Sequence, residues 1–364
     1  MRILVCPCSY KGTISALELA QAIAEVLAEK GHSSELAPFA DGGDDTLACL
    51  QQVRGGEFVY KEVSGPTGIK GLSRYLKFPD HAVVELAGAS DIALLQEGQL
   101  DPLGAQTEGF GQLIRFAIEA GARQIFLTVG GSASTDGGTG ALRMLGARFL
   151  DGDGFDIAAG GAALLSLSRI DLAELKTLTR GCSFTVISDV HNPLTGPDGA
   201  ASVFAPQKGA NAAEVALLDR ALAHFADCLE AALGRRGRDL PGAGSAGGAG
   251  FGLSMVLDAP IVSGFDWLSQ ELHLPEKLER CQAVVVAEGR IDSQSLSGKS
   301  VGRLIELARR RGCLVYGLPA LVEPGLSAEK LGMTALTSVA EPGKTAGLKE
   351  VREKAAMLLP DAID

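Results

Sequence analysis

The chain has 364 residues, a length that predicts two domains, and 46% of them are hydrophobic, which is ample for one or two cores. Its 33 Lys and Arg against 44 Asp and Glu give a net charge of −11, which makes it a poor candidate for binding duplex nucleic acid. A nucleotide is not excluded, because backbone N–H groups, a few cations and Mg²⁺ can hold its phosphates. Glycine is the outlier, because 47 of the 364 residues are glycine, a share well above the usual ~7%. This content predicts many positive-φ turns or close approaches of the backbone to a ligand.

The cysteines and the apolar segments indicate a soluble intracellular protein. The seven cysteines are scattered and mostly lie inside apolar runs, as expected for reduced core residues. No apolar stretch approaches the ~18 residues of a membrane span, and no signal-peptide pattern opens the chain. We therefore expect a cytoplasmic protein.

The amino-terminal segment alternates predicted strands and helices. An apolar run at residues 3–6 predicts a buried strand of the parallel type, and residues 34–39 predict a second strand. Each precedes an amphipathic stretch that predicts a helix, at residues 16–30 and 47–53, and Ser15 is the expected N-cap of the first helix. This alternation is typical of α/β proteins.

The pattern changes after residue 57. Residues 57–63, 71–78 and 82–87 predict three strands joined by short turns. Because no room is left for crossover helices, an antiparallel or mixed sheet is favoured here. Alternation then returns, with strands at residues 124–129 and 184–188 and helices at residues 109–120, 140–149 and 212–234.

The carboxy-terminal part returns to a parallel pattern. Strands at residues 283–287, 314–318 and 335–339 alternate with helices at residues 301–311 and 345–358. We therefore predict an α/β fold with two domains. Residues 1–57 plus 277–364 would form a Rossmann-like parallel-sheet domain, and residues 58–276 would form an inserted mixed-sheet α/β domain.

Four predicted strands each run into a loop of glycine and small residues that carries a carboxylate. In open α/β sheets, ligands bind outside the carboxyl ends of the strands, where such loops lie. Glycines let the backbone close around phosphate oxygens, and carboxylates hold Mg²⁺ or accept a proton from a substrate hydroxyl. The loops comprise residues 40–43, 130–138, 188–193 and 288–293.

Two glycine-rich stretches are candidates for phosphate binding. The glycine loop, residues 130–140, follows a predicted strand and precedes a helix, so its amides can point at an anion. The glycine segment, residues 241–252, is either a flexible linker or an ordered loop whose amides bind nucleotide phosphates. Neither matches the Walker pattern, which excludes an ordinary P-loop enzyme.

A series of short motifs runs in order from near residue 9 to near residue 300. They are Ser9-Tyr-Lys11, Ala40-Asp-Gly-Gly43, Asp101-Pro-Leu103, Gly130-Gly-Ser-Ala133, Asp136-Gly-Gly138, Asp189 with Asn192-Pro-Leu194, Pro206-Gln-Lys-Gly209, Pro241-Gly-Ala-Gly244, Ala246-Gly-Gly248, Glu288-Gly-Arg-Ile-Asp-Ser-Gln-Ser295 and Gly298-Lys299. The series resembles the bacterial type of the glycerate kinase family over nearly the whole chain. This resemblance implies ATP- and Mg²⁺-dependent phosphorylation of D-glycerate, with the site in the cleft between two domains.

Candidate catalytic residues are Asp189, Asp292, Lys11 and Arg290. Either aspartate would bind Mg²⁺ or act as the base that orients the substrate hydroxyl, so both are candidate metal ligands. The two cations suit a substrate carboxylate or the transferred phosphate. The predicted nucleotide-binding residues are Gly130, Gly131, Ser132, Asp136, Gly137, Gly242, Gly244, Gly247, Gly248 and Lys299, and the predicted substrate-binding residues are Ser9, Asp41, Gly42 and Gly43.

Several alternatives stay open. An Asp-Gly-Gly turn also forms without a ligand, so a packing role competes with a binding role for Asp41 and Asp136. The family usually has Asp where this chain has Cys8, and Ala-Gly where this chain has Pro319-Ala320. These differences leave room for a kinase of a related small hydroxy acid. A catalytically silent, nucleotide-binding regulatory homologue is a further alternative, and a homodimer is also left open.

Overall fold

The computed structural model describes residues 1–10, 12–40, 45–96, 98–292, 300–341 and 343–361. The chain forms two compact units, each assembled from separate stretches of sequence. The predicted domain boundaries, after residues 57 and 276, stay a prediction, because compactness alone does not show that a unit folds by itself. Unit 1 comprises Met1–Asp41, Ala48–Gly55 and Phe265–Asp364, and unit 2 comprises Gly42–Leu47 and Gly56–Gly264.

Strands and helices alternate along most of the chain. The strands are β1 (Arg2–Pro7), β2 (Ser33–Leu36), β3 (Glu57–Ser64), β4 (Lys70–Lys77), β5 (His81–Glu85), β6 (Gln124–Thr128), β7 (Arg148–Leu150), β8 (Arg169–Asp171), β9 (Ser183–Ile187), β10 (Ile261–Val262), β11 (Ala283–Ala287), β12 (Arg290–Ile291), β13 (Leu314–Gly317), β14 (Leu321–Val322) and β15 (Ala335–Leu336). The helices are α1 (Ala16–Glu29), α2 (Thr46–Arg54), α3 (Ala87–Ser90), α4 (Glu108–Glu119), α5 (Thr139–Met144), α6 (Ala173–Leu178), α7 (Ala200–Phe204), α8 (Ala212–Leu233), α9 (Ser245–Leu257), α10 (Gly264–Glu271), α11 (Leu274–Glu279), α12 (Ser300–Arg310), α13 (Ala328–Leu331) and α14 (Leu348–Leu358). Among the described residues, no helix has both the length and the apolar character that crossing a membrane requires.

The main sheet of unit 1 is parallel throughout, in the order β15-β13-β11-β1-β2. β11 is buried from end to end, as a parallel strand covered on both faces requires. α1 and α14 pack together, and their apolar faces join one core with the sheet, around Leu19, Ile23 and Val351. The predicted parallel-sheet part of the fold is confirmed.

α1 begins where the sequence predicts. The hydroxyl of Ser15 accepts the N–H of Glu18, and the Glu18 carboxylate accepts the N–H of Ser15 at 2.9 Å. This reciprocal capping box satisfies two backbone donors that a helix start would otherwise leave open. The helix ends just before Gly31, whose φ of 76° terminates it.

Unit 2 contains a mixed six-stranded sheet in the order β10-β9-β6-β5-β4-β3. β3, β4 and β5 pair antiparallel, whereas β5, β6, β9 and β10 pair in parallel. An aromatic cluster lies in the core, where the ring of Phe225 contacts Phe149 and Phe251 at centroid distances of 6.0 and 5.7 Å. The predicted mixed sheet, and with it the two-part α/β class, is confirmed.

One predicted helix is wrong in its second half. The pattern at residues 140–149 predicted a single helix, but α5 ends at Met144 and β7 follows, paired antiparallel with β8. Gly146 lies between them with a φ of 99°, a conformation that interrupts a helix. A short apolar run after such a glycine cannot be assigned to strand or helix by periodicity alone.

Candidate functional site

The carboxyl ends of the parallel strands of unit 2 lie side by side at one end of its sheet. β6 runs into the glycine loop, and the neighbouring β9 runs into the aspartate loop, residues 188–193. The two loops start side by side, because Val129 donates its N–H to the carbonyl of Ile187 at 3.1 Å. The carboxyl end of the sheet is where α/β proteins bind ligands.

A buried carboxylate, Asp136, organises the glycine loop. Its Oδ2 accepts the N–H and hydroxyl of Thr107 at 2.9 and 2.8 Å, and the N–H of Gly140 at 3.1 Å. Its Oδ1 accepts the N–H of Gly138 at 3.1 Å and the hydroxyl of Ser134 at 3.2 Å. These donors saturate both oxygens, which leaves no lone pair for a ligand. Asp136 therefore holds the loop in place, which favours the positioning alternative, and its predicted contact with the nucleotide stays a prediction.

Lys208 is buried against the same loop. Its Nζ donates to the carbonyl of Ser134, and only 2% of the residue is exposed. Burial lowers the pKa of Lys208 to about 8, and the negative charge of Asp136 opposes that lowering. Lys208 is not among the predicted site residues. The available signal was its motif, a turn over Pro206–Lys208 that ends at Gly209 with a φ of 95°.

The start of the glycine loop presents backbone donors. Within the described ranges, the N–H groups of Gly130, Gly131 and Ser132 donate to no protein acceptor. Gly131 is exposed, Gly130 is half-buried and Ser132 is buried. The carbonyl of Gly131 accepts the N–H of Ile92 at 2.9 Å, which holds the loop in place. Successive available amides suit an anion such as a phosphate group. Nucleotide binding by these three residues stays a prediction.

Other glycines of the two stretches are required by packing. A Cβ on Gly247 would lie 2.1 Å from the Ser134 carbonyl oxygen, and a Cβ on Gly137 would lie 2.8 Å from the ring of Phe225. Gly137 also donates its N–H to the Gly247 carbonyl at 3.1 Å. The glycine segment therefore lies directly against the glycine loop, and this contact alone excludes side chains there.

The glycine segment also contacts the aspartate loop. Gly244 donates its N–H to the Asn192 carbonyl at 2.9 Å, and a Cβ on Gly244 would lie 2.2 Å from the Pro193 carbonyl oxygen. A Cβ on Gly242 would lie 3.3 Å from the Val190 carbonyl oxygen. The glycine loop, the glycine segment and the aspartate loop are thus held together by backbone contacts. These contacts fix the positions of the side chains that the three loops carry.

Three successive left-handed residues stand near the start of α9. Ala246, Gly247 and Gly248 have φ values of 49°, 64° and 87°. The conformation costs a non-glycine residue roughly 1–2 kcal/mol, so the neighbouring contacts must hold Ala246 in place. A Cβ on Gly248 would lie 2.8 Å from a methyl group of Leu194. The sequence-based alternative of a flexible linker is therefore wrong for this segment.

Asp189 lies half-buried directly after β9. Its Oδ1 accepts the hydroxyl of Ser263 at 3.2 Å, and a Cβ on Gly264 would lie 2.7 Å from its Oδ2. Ser263 follows β10, so adjacent strands supply a carboxylate and a hydroxyl, both oxygen ligands that Mg²⁺ accepts. Sequence reasoning missed Ser263, because β10 has only two residues. Across the described ranges, no group of three or more His, Cys, Asp or Glu side chains is placed to hold a metal ion.

Unit 1 carries its own loops at the carboxyl ends of β1 and β11. Ser9 is half-buried after β1, and Asp292 is half-buried after β12. β12 pairs in parallel with β14 and leaves Arg290 exposed, so its guanidinium is accessible to a ligand. The remaining predicted site residues lie outside the described part of the chain: Lys11, Asp41, Gly42, Gly43 and Lys299.

Comparison with known proteins identifies relatives along the whole chain. The glycerate kinase family model matches residues 3–364. A glycerate 2-kinase of Escherichia coli strain K12 is 40% identical over 325 residues, which cover 87% of this chain and 84% of the relative. A glycerate kinase of Bacillus subtilis strain 168 is 37% identical over 349 residues, 93% of this chain and 90% of the relative.

A solved structure agrees in fold. The crystal structure of a candidate glycerate kinase 2 from Salmonella typhimurium LT2 superposes with a TM-score of 0.86 at 36% identity, covering 98% of this chain and 96% of that chain. Family match, sequence identity and fold point to the same assignment. The chain therefore belongs to the glycerate kinase family.

Proposed function

We propose that this chain is an ATP- and Mg²⁺-dependent kinase that phosphorylates a hydroxyl group of D-glycerate. Membership of the family makes it a phosphotransferase that acts on an alcohol group. The Escherichia coli relative is named a glycerate 2-kinase, so the 2-hydroxyl is the first acceptor to test. ATP, Mg²⁺ and the residue roles below are part of the proposal.

One observation carries the proposal: an anion-binding backbone and a carboxylate leave adjacent strands. The available amides of Gly130, Gly131 and Ser132 follow β6, and Asp189 follows β9, its hydrogen-bonded neighbour. Phosphoryl transfer requires groups that hold phosphate oxygens next to a carboxylate that orients the attacking hydroxyl or the metal. The interlocked loops keep both parts in a fixed position without further ordering when the substrate binds.

The donor set near Asp189 fits Mg²⁺. Asp189 supplies a carboxylate, and Ser263 supplies a hydroxyl 3.2 Å from it, both oxygen donors of the kind that Mg²⁺ takes alongside phosphate oxygens and water. When bound, Mg²⁺ would offset negative charge on the phosphoryl group. Ser263 would then fix the carboxylate orientation through its hydrogen bond, and a side chain at position 264 would crowd Oδ2, because its Cβ would lie 2.7 Å from that atom.

The residues of unit 1 have complementary proposed roles. Arg290 is exposed and presents a planar fork of donors, which matches a carboxylate or phosphate in two parallel hydrogen bonds. Asp292 follows it and is the second candidate for metal binding or for orienting the hydroxyl. Lys11, Lys299 and the Asp41 loop keep the binding roles predicted from the family motifs.

Two alternatives are separated by one assay series. ADP release is measured with purified protein and ATP, across D-glycerate, L-glycerate, tartronate and sugar acids, with and without Mg²⁺. Phosphorus NMR of the product distinguishes phosphorylation at the 2- and 3-positions. We expect turnover of D-glycerate that requires Mg²⁺. Turnover of another acid alone would favour the related hydroxy-acid kinase, and ATP binding without any turnover would favour the silent regulatory homologue.

The role of Asp189 is tested with a matched pair of variants. We expect Asp189→Asn to lower kcat by about 100-fold or more, because an amide neither accepts a proton nor binds Mg²⁺ well. Asp198→Asn changes an exposed aspartate near the aspartate loop and should leave kcat within about twofold. Equal effects of the two variants would remove Asp189 from the reaction.

A further inference from the structure

β3 forms an edge of the unit 2 sheet, and most of its length is open to pairing with another strand. Glu57–Ser64 pairs with β4 on one side and, among the described residues, with no strand on the other. Natural edge strands are usually protected by short length, charged side chains, proline or a bulge, since their open backbone groups invite a second strand. β3 has eight residues and contains neither proline nor glycine. Its central residue Tyr60 is 53% exposed.

The end of the β3–β4 hairpin fixes which backbone groups face this open edge. Gly65 donates its N–H to the carbonyl of Ile69 at 2.7 Å, inside the hairpin. Ser64 instead donates its N–H to the side chain of Gln112 at 2.9 Å, away from β4. Inward and outward backbone groups alternate along an antiparallel pair. The residues of β3 whose N–H and C=O point outward are therefore Phe58, Tyr60, Glu62 and Ser64. α4 already covers the groups of Ser64, which leaves the first three at the open part of the edge.

We infer that β3 pairs antiparallel with β3 of a second copy of this chain, about a two-fold axis at Val59. This register places Phe58 opposite Tyr60 of the partner subunit, and their outward backbone groups can exchange hydrogen bonds. It also places Glu57 opposite Lys61 of the partner subunit. Both pairs occur twice by symmetry, and aromatic pairs and opposite charges are the cross-strand combinations that stabilise a sheet.

Neighbouring registers are less favourable. Directly opposite residues of an antiparallel pair have their side chains on the same face of the sheet. The alternative positions of the two-fold axis therefore lie one residue apart along β3. An axis at Lys61 sets two ammonium groups opposite each other, which is repulsive. An axis at Tyr60 sets the aromatic ring of Phe58 opposite the charge of Glu62. Charge and side-chain type thus favour the axis at Val59 over those at Tyr60 and Lys61.

The surroundings of the edge favour a second copy over a strongly charged partner. Glu57, Lys61, Lys77 and Glu119 line one cavity formed by β3, β4 and α4, so acidic and basic groups are balanced on this face of the hairpin. The ammonium of Lys61 lies 5.0 Å from the ring centroid of Phe116, which holds it close to the sheet. A surface that carries both signs in a fixed order is complementary to its own two-fold copy. A polyanionic or polycationic partner would meet repulsion from half of these groups.

The inference is tested by charge exchange between positions 57 and 61, with mass measured by light scattering across protein concentration. We expect wild-type protein at twice the 37.6 kDa chain mass. Glu57→Lys and Lys61→Glu should each weaken dimerisation by about tenfold or more, because like charges then face each other twice. Glu62→Lys makes the same charge change on β3 but faces Gly56 of the partner subunit in this register, so it should leave the dimer intact.

Mixing the two single variants gives the sharpest result. A Glu57→Lys chain opposite a Lys61→Glu chain restores two opposite-charge pairs, so the equimolar mixture should form heterodimers with near wild-type affinity. The double variant should likewise dimerise. This recovery also shows that each single variant is folded. A monomeric wild type, a dimer insensitive to both single changes, or a mixture that stays monomeric would each overturn the inference.

Discussion

The ammonium group of Lys208 donates a hydrogen bond to the backbone carbonyl of Ser134, inside the glycine loop. Ser134 in turn donates from its hydroxyl to Asp136 at 3.2 Å. A buried cation and a buried carboxylate thus hold the loop through the same residue. Removing either one leaves the other charge uncompensated in the interior, which is usually more destabilising than removing the pair.

Replacing Lys208 by Met should change how stability depends on pH. Burial lowers the pKa of Lys208 from 10.5 to about 8 in the folded chain. Between these values the unfolded chain binds more protons than the folded chain, so this group makes the free energy of unfolding rise with pH. Relative to Lys208→Met, the wild type should gain about 3 kcal/mol from pH 8 to pH 10.5, and nothing below that window. Urea denaturation of both proteins across the window measures it, and a constant difference would contradict a lowered pKa.

Asp136→Asn should destabilise unit 2 strongly. One carboxylate oxygen would be replaced by an NH2 group, which would face either the N–H groups of Thr107 and Gly140 or the N–H group of Gly138. Lys208 would also lose the nearby negative charge. We expect the free energy of unfolding to fall by about 3 kcal/mol or more. Asp153→Asn, at an exposed position, is the matched control and should change it by less than about 0.5 kcal/mol. Similar losses in both variants would refute the loop-building role of Asp136.

The fold was predictable wherever local sequence and tertiary burial demand the same structure. β11 has the predicted bounds, because a run of small aliphatic residues buried on both faces leaves no competing assignment. α1 starts at the predicted cap because Ser15 and Glu18 satisfy each other's backbone donors. β7 was missed since three residues carry too little periodicity to compete with a preceding helix.

The candidate site was predictable in place and only partly in role. Loops that follow neighbouring parallel strands lie together at the carboxyl end of the sheet, so the positions of Asp189 and Gly131 were predictable. The reason for each glycine was not, because a phosphate and a neighbouring backbone both require the absence of a Cβ. Gly247 illustrates the ambiguity, since its Cβ would meet a carbonyl of the same unit. The buried contact of Lys208 joins residues far apart in sequence, and no local pattern reports it.

Glu230 should contribute stability that disappears in acid. Burial alone would raise its pKa, but hydrogen bonds from the Arg238 guanidinium and from the N–H groups of Gly237 and Arg238 lower it from 4.5 to about 2. The contribution is complete above pH 4.5 and is lost as the pH falls toward 2. Glu230→Gln should cost about 1 kcal/mol at neutral pH, with the two proteins converging in acid. Urea titrations at pH 7 and pH 3 test this, and an undiminished gap at pH 3 would argue against the pairing.

Gly247→Ala should separate the glycine segment from the glycine loop. The new Cβ would lie 2.1 Å from the carbonyl oxygen of Ser134, and two backbones must move apart to admit it. Gly181→Ala is a matched control, because its φ of 75° is similarly left-handed but nothing lies within 4 Å of its Cβ. We expect a loss of about 1 kcal/mol at Gly181, from backbone strain alone, and of about 3 kcal/mol or more at Gly247.

The same pair of variants also tests whether the loop frame serves the nucleotide. If the glycine loop binds phosphate, the displaced backbone in Gly247→Ala should raise the KM for ATP about tenfold, whereas Gly181→Ala should leave it unchanged. Steady-state kinetics at a temperature where both variants are folded makes the comparison. A destabilised Gly247 variant with a normal KM for ATP would show that the interlocked loops support the fold alone, and nucleotide binding would then have to be sought away from them.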